Sequence, residues 1–307
     1  MKRKLYDQLV IWKTKRHGKS AMMIESARRV GKSYIVEEFA KNEYKSHIII
    51  DFFKVGDDIK DLFKNYKGNL DMLFTYLSTF YSTKLYPRDS IIVFDEIEFC
   101  PAARAAIKYL VEDGRYDYLE TGSLLGMQMS TRKKLKGSEK QEDYLVPSEE
   151  EKVVLQPMDF EEFLWALGEE NLMEFVRMKF ETKEPVGQSM HRKLMDYFRL
   201  YMIVGGMPQA VMEYLETRSF EDVDRVKRQI LNLYNNCIDQ YAGIHTSKVK
   251  AIYEAIPGQL QLHEHKFQLS DLHKDARFRD YDSSFFWLRD ARMVNLAFNT
   301  TEPSIGL

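Results

Sequence analysis

The spacing of apolar positions changes several times along this chain, and each change marks an element. Leu5, Leu9 and Trp12 recur at helical spacing, so residues 3–17 predict a helix. The run Ala21-Met22-Met23-Ile24 predicts a first strand, which enters a small, polar loop ending at Ser33. The amphipathic stretch that follows predicts a helix to about Asn42. Residues 46–53 are an isoleucine-rich run of the kind that suits a strand buried on both faces. Leu62, Phe63 and Tyr66, then Leu70, Leu73, Phe74, Leu77 and Phe80, predict two helices broken near Gly68-Asn69. Residues 90–96 read as a further strand. A helix follows over Ala102–Val111, opened by Pro101 and ended by Gly114. Residues 116–123 and 152–156 read as strands four and five, and Pro157 stops the last.

After Pro157 the period is helical. Asp159 is an N-cap with Glu162 at N3, the pattern of a capping box. Helices are predicted near 169–181, 188–204, 207–217 and 220–243, with Gly205-Gly206-Met207-Pro208 as a sharp break. Ile256-Pro257-Gly258 is expected to end another. Short helices near 247–257, 269–275 and 281–292, then an extended piece over 294–300, follow the order of a winged helix. Residues 124–150, with Arg132-Lys133-Lys134-Leu135-Lys136-Gly137, fit neither period and are expected to form a mobile, solvated excursion. The expected fold is therefore α/β: a parallel sheet followed by an all-helical region with a winged-helix-like end.

Composition narrows the function classes. The chain has 307 residues, enough for about two domains, with 44% hydrophobic and 30% charged residues, as in soluble globular proteins. A net charge of -2 gives no global bias toward nucleic acid or membrane. Two cysteines, Cys100 and Cys237, are too few for a disulfide framework or zinc cluster and suit a reducing compartment. No signal peptide or membrane span is legible, so the expected location is cytoplasmic. His263, Glu264, His265 and His273 fit no zinc spacing and read as solvated. Residues 247–292 hold eight Lys/Arg against seven Asp/Glu, a surplus too small for strong phosphate-driven DNA binding. Arg277, Arg279, Arg289 and Arg292 remain candidates for a local patch.

The chemistry concentrates in the first loop. Ser26-Ala27-Arg28-Arg29-Val30-Gly31-Lys32-Ser33, with Tyr34 behind it, has the second half of a phosphate-binding loop intact. Ser26 stands where the first glycine of the motif belongs. Backbone N–H groups of such a loop cradle phosphate oxygens at a helix N-terminus. Lys32 would reach the β- and γ-phosphates of ATP, and the Ser33 hydroxyl would ligate Mg²⁺. The strand Ser90 to Phe94 ends in Asp95-Glu96, which supplies the carboxylates the loop needs. Asp95 is the candidate Mg²⁺ ligand, and Glu96 the candidate base for the attacking water. Thr121 and Ser123, at the tip of the next strand, are candidates to place a hydroxyl near the γ-phosphate. Arg28 or Arg29, or an arginine from a neighbouring subunit, would add charge stabilisation. Gly205-Gly206-Met207-Pro208 is either a turn or a hinge that senses nucleotide state.

These residues also carry a family resemblance. Tyr6-Asp7-Gln8-Leu9 with Trp12-Lys13, the loop 27–33, and Phe94-Asp95-Glu96-Ile97-Glu98-Phe99-Cys100-Pro101 contribute to it. So do Thr121-Gly122-Ser123-Leu124-Leu125, Pro157-Met158-Asp159-Phe160-Glu161-Glu162-Phe163 and Gly205-Gly206-Met207-Pro208. Ile256-Pro257-Gly258-Gln259-Leu260 and Asn299-Thr300-Thr301-Glu302-Pro303 complete it. The chain resembles bacterial and archaeal P-loop ATPases that pair an AAA-like core, AAA_14, with a C-terminal DUF4143 region. The resemblance implies ATP and Mg²⁺ binding through Lys32, Ser33, Asp95 and Glu96. It also implies a core over 1–157, a helical lid-like region over 158–245 and a winged-helix-like segment over 246–307. Ser26 departs from the family glycine and puts ATP affinity or turnover in question. Family members continue into a nuclease-like domain, so this chain is expected to be either a fragment or a shortened member. The reading is a Mg-dependent ATPase acting as a switch or motor. The alternative is a nucleotide-dependent module that binds DNA or a protein with little turnover. Self-association is left open.

Overall fold

All six residues of β1 (Ala21–Ser26) are buried, because the strand lies inside its sheet with helices on both faces. The computed structural model describes residues 1–123, 148–262 and 266–297. Five parallel strands lie in the order β2 (Ser46–Asp51), β3 (Ser90–Asp95), β4 (Asp117–Ser123), β1, β5 (Glu150–Leu155). Thus β4 lies between β1 and β3, and its Thr121 pairs in register with Ile24 of β1.

Alternation along each strand gives the sheet two apolar faces. On one, α1 (Lys4–Arg16) and α2 (Lys32–Glu43) bury Leu9, Trp12, Val36 and Phe39, with Trp12 and Phe39 rings 6.5 Å apart. On the other, α3 (Asp57–Asn65), α4 (Leu70–Phe80) and α5 (Pro101–Asp113) bury Phe63, Leu73 and Leu110 in one core with Met23, Ile50 and Phe94. Asn69 caps α4 by accepting from the Met72 N–H, and Gly114, at φ 71°, ends α5, as the breaks in the sequence anticipate.

Beyond β5 the elements are helical: α6 (Phe160–Ala166), α7 (Leu172–Glu181), α8 (Gln188–Val204), α9 (Pro208–Thr217) and α10 (Phe220–Tyr241). The capping box of α6 forms: Glu162 N–H donates to Asp159 Oδ1 at 2.9 Å, and Asp159 N–H to Glu162 Oε2 at 3.3 Å. The break after α8 is tied down at the exit of β5. Met158 N–H donates to the Gly206 carbonyl at 2.7 Å, and Tyr201 Oη–H to the Met158 carbonyl at 2.8 Å. A Cβ on Gly206 would overlap that Met158 carbonyl, which is why this position takes glycine.

The chain divides into two compact units, Met1–Gln229 and Ile230–Leu307. In the second, α11 (Thr246–Leu260) packs on α12 (Asp282–Asp290) and buries Val249, Ile252 and Leu288. Two expectations differ here. The helix expected to end at Pro257 runs on to Leu260, because proline removes one N–H near the end and Gln259 anchors the last turn by accepting from Gln268 N–H at 2.7 Å. The helix expected over 269–275 is only a 3₁₀ turn, Leu269–Asp271, since none of these residues is buried and no packing offsets the cost of nucleation. A second 3₁₀ turn spans Phe278–Asp280, and residues 294–297 form no strand. Of the four arginines expected as a patch, Arg279 and Arg289 face the neighbouring Asp280 and Asp290, at 3.8 and 2.9 Å. Of the excursion expected over 124–150, residues 124–147 lie outside the described residues, as do the His263-Glu264-His265 group and the Asn299–Pro303 motif, while Glu150 already belongs to β5. His273 is exposed, and among the described residues no group of three His, Cys, Asp or Glu is arranged to hold a metal. No described helix is long and apolar enough to cross a membrane.

Candidate functional site

Ser26 is the last residue of β1 and is buried, and its φ is not in the left-handed region. Its hydroxyl donates to the Ala27 carbonyl at 2.9 Å. The side chain at the first-glycine position is therefore absorbed by ordinary strand geometry. The left-handed residues of the loop are Arg29, at φ 66°, and Gly31, at φ 89°. An arginine in that conformation costs about 1–2 kcal/mol, and Gly31 adopts it with little cost. Ala27 and Val30 are buried and hold the loop, Arg28 is half-buried, and Arg29 is exposed.

Gly31 is the N-cap of α2, so Lys32, Ser33 and Tyr34 form its first turn, where backbone N–H groups have no helical acceptor. Lys32 is nearly buried, and its ammonium lies 3.7 Å from Glu96 Oε1. Ser33 Oγ–H donates to Asp95 Oδ2 at 3.2 Å. Thr121 Oγ1–H donates to Asp95 Oδ1, and Thr121 Oγ1 accepts from the Glu96 N–H at 3.2 Å. The strand order explains this geometry: β4 sits between β1 and β3, so Thr121 reaches the carboxylate that ends β3. Thr121 is fully buried and orients Asp95 and the Glu96 backbone. Ser123 pairs in register with Ser26, at the same edge of the sheet.

Glu96 itself is left-handed, at φ 54° and ψ 52°. Non-glycine residues in this conformation concentrate at functional sites. Burial pushes its carboxyl above the usual range and nearby Glu98 adds to that, while Lys32 and Arg28 pull it down. A raised carboxyl pKa brings a general base closer to operating pH. Ser33 and Asp95 offer a hydroxyl and a carboxylate oxygen, the hard donor set that Mg²⁺ takes beside phosphate oxygens.

Several participants carried no sequence signal. Arg3, in the run Lys2-Arg3-Lys4, is buried at 5% exposure. It donates from Nη1 to the Val30 carbonyl at 2.9 Å and from Nη2 to the Gln156 carbonyl at 2.6 Å, and Nε lies 3.2 Å from Glu162 Oε1. Removing one partner of such a buried pair typically costs about 3–5 kcal/mol. Arg3 and Pro208 both lie against Gly31: a Cβ there would sit 3.6 Å from Pro208 Cγ and 3.7 Å from Arg3 Nη1. A cavity of about 320 Å³ opens between the starts of α1 and α2, lined by Arg3, Tyr6, Asp7, Tyr34, Ile35 and Glu38, among others. Beside the site, Glu120 of β4 is fully buried, 3.9 Å from Arg104, which pairs with Glu150 at 2.9 Å. Burial and the Glu150 charge push Glu120 up to about 8.

Residues 195–306 match DUF8612, a domain of unknown function, where the sequence resemblance pointed to DUF4143. No curated protein matches the chain. Among solved structures, the chain is similar to the Walker-type ATPase paby2304 of Pyrococcus abyssi, at 14% identity and a TM-score of 0.53, covering 94% of this chain and 89% of that one. It also aligns with C. elegans PCH-2 at 14% identity, covering 73% and 65%, but a TM-score of 0.34 carries no weight. The first likeness is one of fold: a parallel α/β sheet of the P-loop ATPase kind. Residues 18–164, which hold the loop, both carboxylates and all five strands, match the AAA domain family AAA_14.

Proposed function

We propose that the first unit binds ATP with Mg²⁺ and hydrolyses it. The observation that carries this reading is the convergence of Lys32, Ser33, Asp95 and Glu96 at one edge of the sheet, with Ser33 and Asp95 in direct contact. The first turn of α2 and the loop before it present N–H groups to the phosphates, and Lys32 adds its charge at the β- and γ-phosphates. Mg²⁺, held by Ser33 and Asp95, would neutralise developing charge on the phosphates. Glu96 orients the attacking water and takes its proton, while Thr121 keeps Asp95 and the Glu96 backbone in place. Arg28, which lowers the Glu96 pKa from nearby, is the better placed of the two loop arginines to stabilise charge. The cavity between α1 and α2 takes the base: a helix rises 1.5 Å per residue, so Glu38 lies about 8 Å along α2 from Ser33, within reach of a nucleoside.

The test is steady-state phosphate release by the purified chain beside Lys32→Ala and Glu96→Gln. Loss of about 100-fold or more in kcat for Glu96→Gln, with ATP still bound, is the expected result. Equal phosphate release from all three proteins would sink the enzymatic reading. DNA as the partner of a switch has weak support, because two of the four candidate arginines already face aspartates. A salt titration of duplex binding, with and without ATP, decides it.

A further inference from the structure

We infer that Arg3 is a positioning residue for phosphate binding: by gripping the Val30 carbonyl it aims the Gly31 N–H into the phosphate loop, and through Glu162 and Gln156 it registers that loop against the start of α6. This rests on the nucleotide reading above. The Val30 carbonyl and the Gly31 N–H belong to one trans peptide group, so they point in opposite directions. Fixing the carbonyl on one side therefore fixes the donor on the other. The peptide needs such a hold. Gly31 has the widest conformational range of any residue, and its φ of 89° is only one of its wells. The shape of Arg3 suits this role, since a rigid guanidinium fork presents several donors at once: Nη1 and Nη2 donate to two carbonyls, while Nε pairs by charge with the Glu162 carboxylate. Glu162 is itself fixed, since one oxygen accepts the Lys4 N–H at 2.7 Å and the other closes the α6 capping box. Lysine could not replace this arrangement, because its single ammonium cannot reach both carbonyls and stay beside the Glu162 carboxylate in the way a planar fork does.

The experiment has two arms. In the first, binding of Mg-ATP and of Mg-tripolyphosphate is measured by calorimetry for wild type, Arg3→Lys and Glu162→Gln, each checked for a cooperative melt. Losing a charge-assisted hydrogen bond weakens binding about tenfold or more, and the factor should be the same for both ligands because the effect falls on the phosphates. Glu162→Gln keeps an acceptor for Lys4 and guards against a misfolded Arg3 variant; a smaller loss, about threefold, is expected from the weakened grip on Arg3. In the second arm, the Gly31 amide is followed by NMR in ¹⁵N-glycine-labelled protein without ligand, and Arg3→Lys should displace it. Folded variants with wild-type affinity for both ligands and an unmoved Gly31 amide would overturn the inference. If wild type binds neither ligand, the nucleotide reading fails, while the Gly31 amide still decides what Arg3 does.

Discussion

The hydroxyl of Ser33 donates to Asp95 at 3.2 Å, although 62 positions separate the two in the chain. The other oxygen of that carboxylate takes the Thr121 hydroxyl, so three elements fix one aspartate: β3 carries it, β4 braces it, and the helix after β1 meets it. If this pair holds Mg²⁺, Asp95→Asn should leave ATP binding in EDTA unchanged and remove about tenfold of the gain that Mg²⁺ gives. Titrations with and without Mg²⁺ check this; an unchanged gain would remove Asp95 as a ligand.

Ser26 needs no positive φ and bonds its own chain. Glycine there should bring little benefit and slightly loosen the strand end. Ser26→Gly is expected to keep ATP affinity within about threefold of wild type, under 1 kcal/mol. A tenfold tightening in calorimetry would mean that the serine does obstruct the loop.

The raised pKa of Glu96 has burial as its main cause and Glu98 as the next one that raises it. A base must be ionised to act, so activity should climb as pH rises through this pKa and lie above the ordinary carboxylate range. Glu98→Gln removes a contribution that raises it. The acid limb of the kcat profile should therefore move to lower pH, with the plateau little altered. A limb that stays in place would show that Glu98 does not act on the titrating group.

Gly206 lies against the Met158 carbonyl, so Gly206→Ala must displace backbone. The expected cost is about 1–3 kcal/mol in denaturant unfolding, as for other overpacked sites. Gly68, which has open space where a Cβ would point and no positive φ, is the control. Its alanine variant should stay within about 0.5 kcal/mol of wild type. Equal effects at both positions would contradict the close approach.

Glu120, pushed up to about 8, keeps its proton in the folded chain at pH values where the unfolded chain has lost it. The folded state then binds more protons than the unfolded state, so stability falls as pH rises from about 5 to about 8. Glu120→Gln should flatten this slope and be the more stable protein at about pH 9, by denaturant midpoint. A slope unchanged by the substitution would assign the pH dependence to other groups.

The order of elements was legible in this chain because burial on both faces of a parallel sheet demands short apolar runs, as at Ile91 to Phe94. Turn chemistry also acts locally, as at Asn69 and Gly114. The Asp159/Glu162 capping box could be read for the same reason: its partners are three residues apart. The last helices were read less well. Their polar stretches have no local signal that separates a helix from a 3₁₀ turn, and packing decides between them. The loop and the Asp95-Glu96 pair could be named from type and spacing, but not their contact. That contact depends on β4 lying between β1 and β3, and strand order is set by which helix faces bury against which sheet face. Arg3 illustrates the limit. In sequence it is one of three consecutive cations, Lys2-Arg3-Lys4, with every reason to face water. Only when β5 and α6 return to the first helix do the Gln156 carbonyl and the Glu162 carboxylate supply an acceptor and a counter-charge that make its burial beside the phosphate loop favourable.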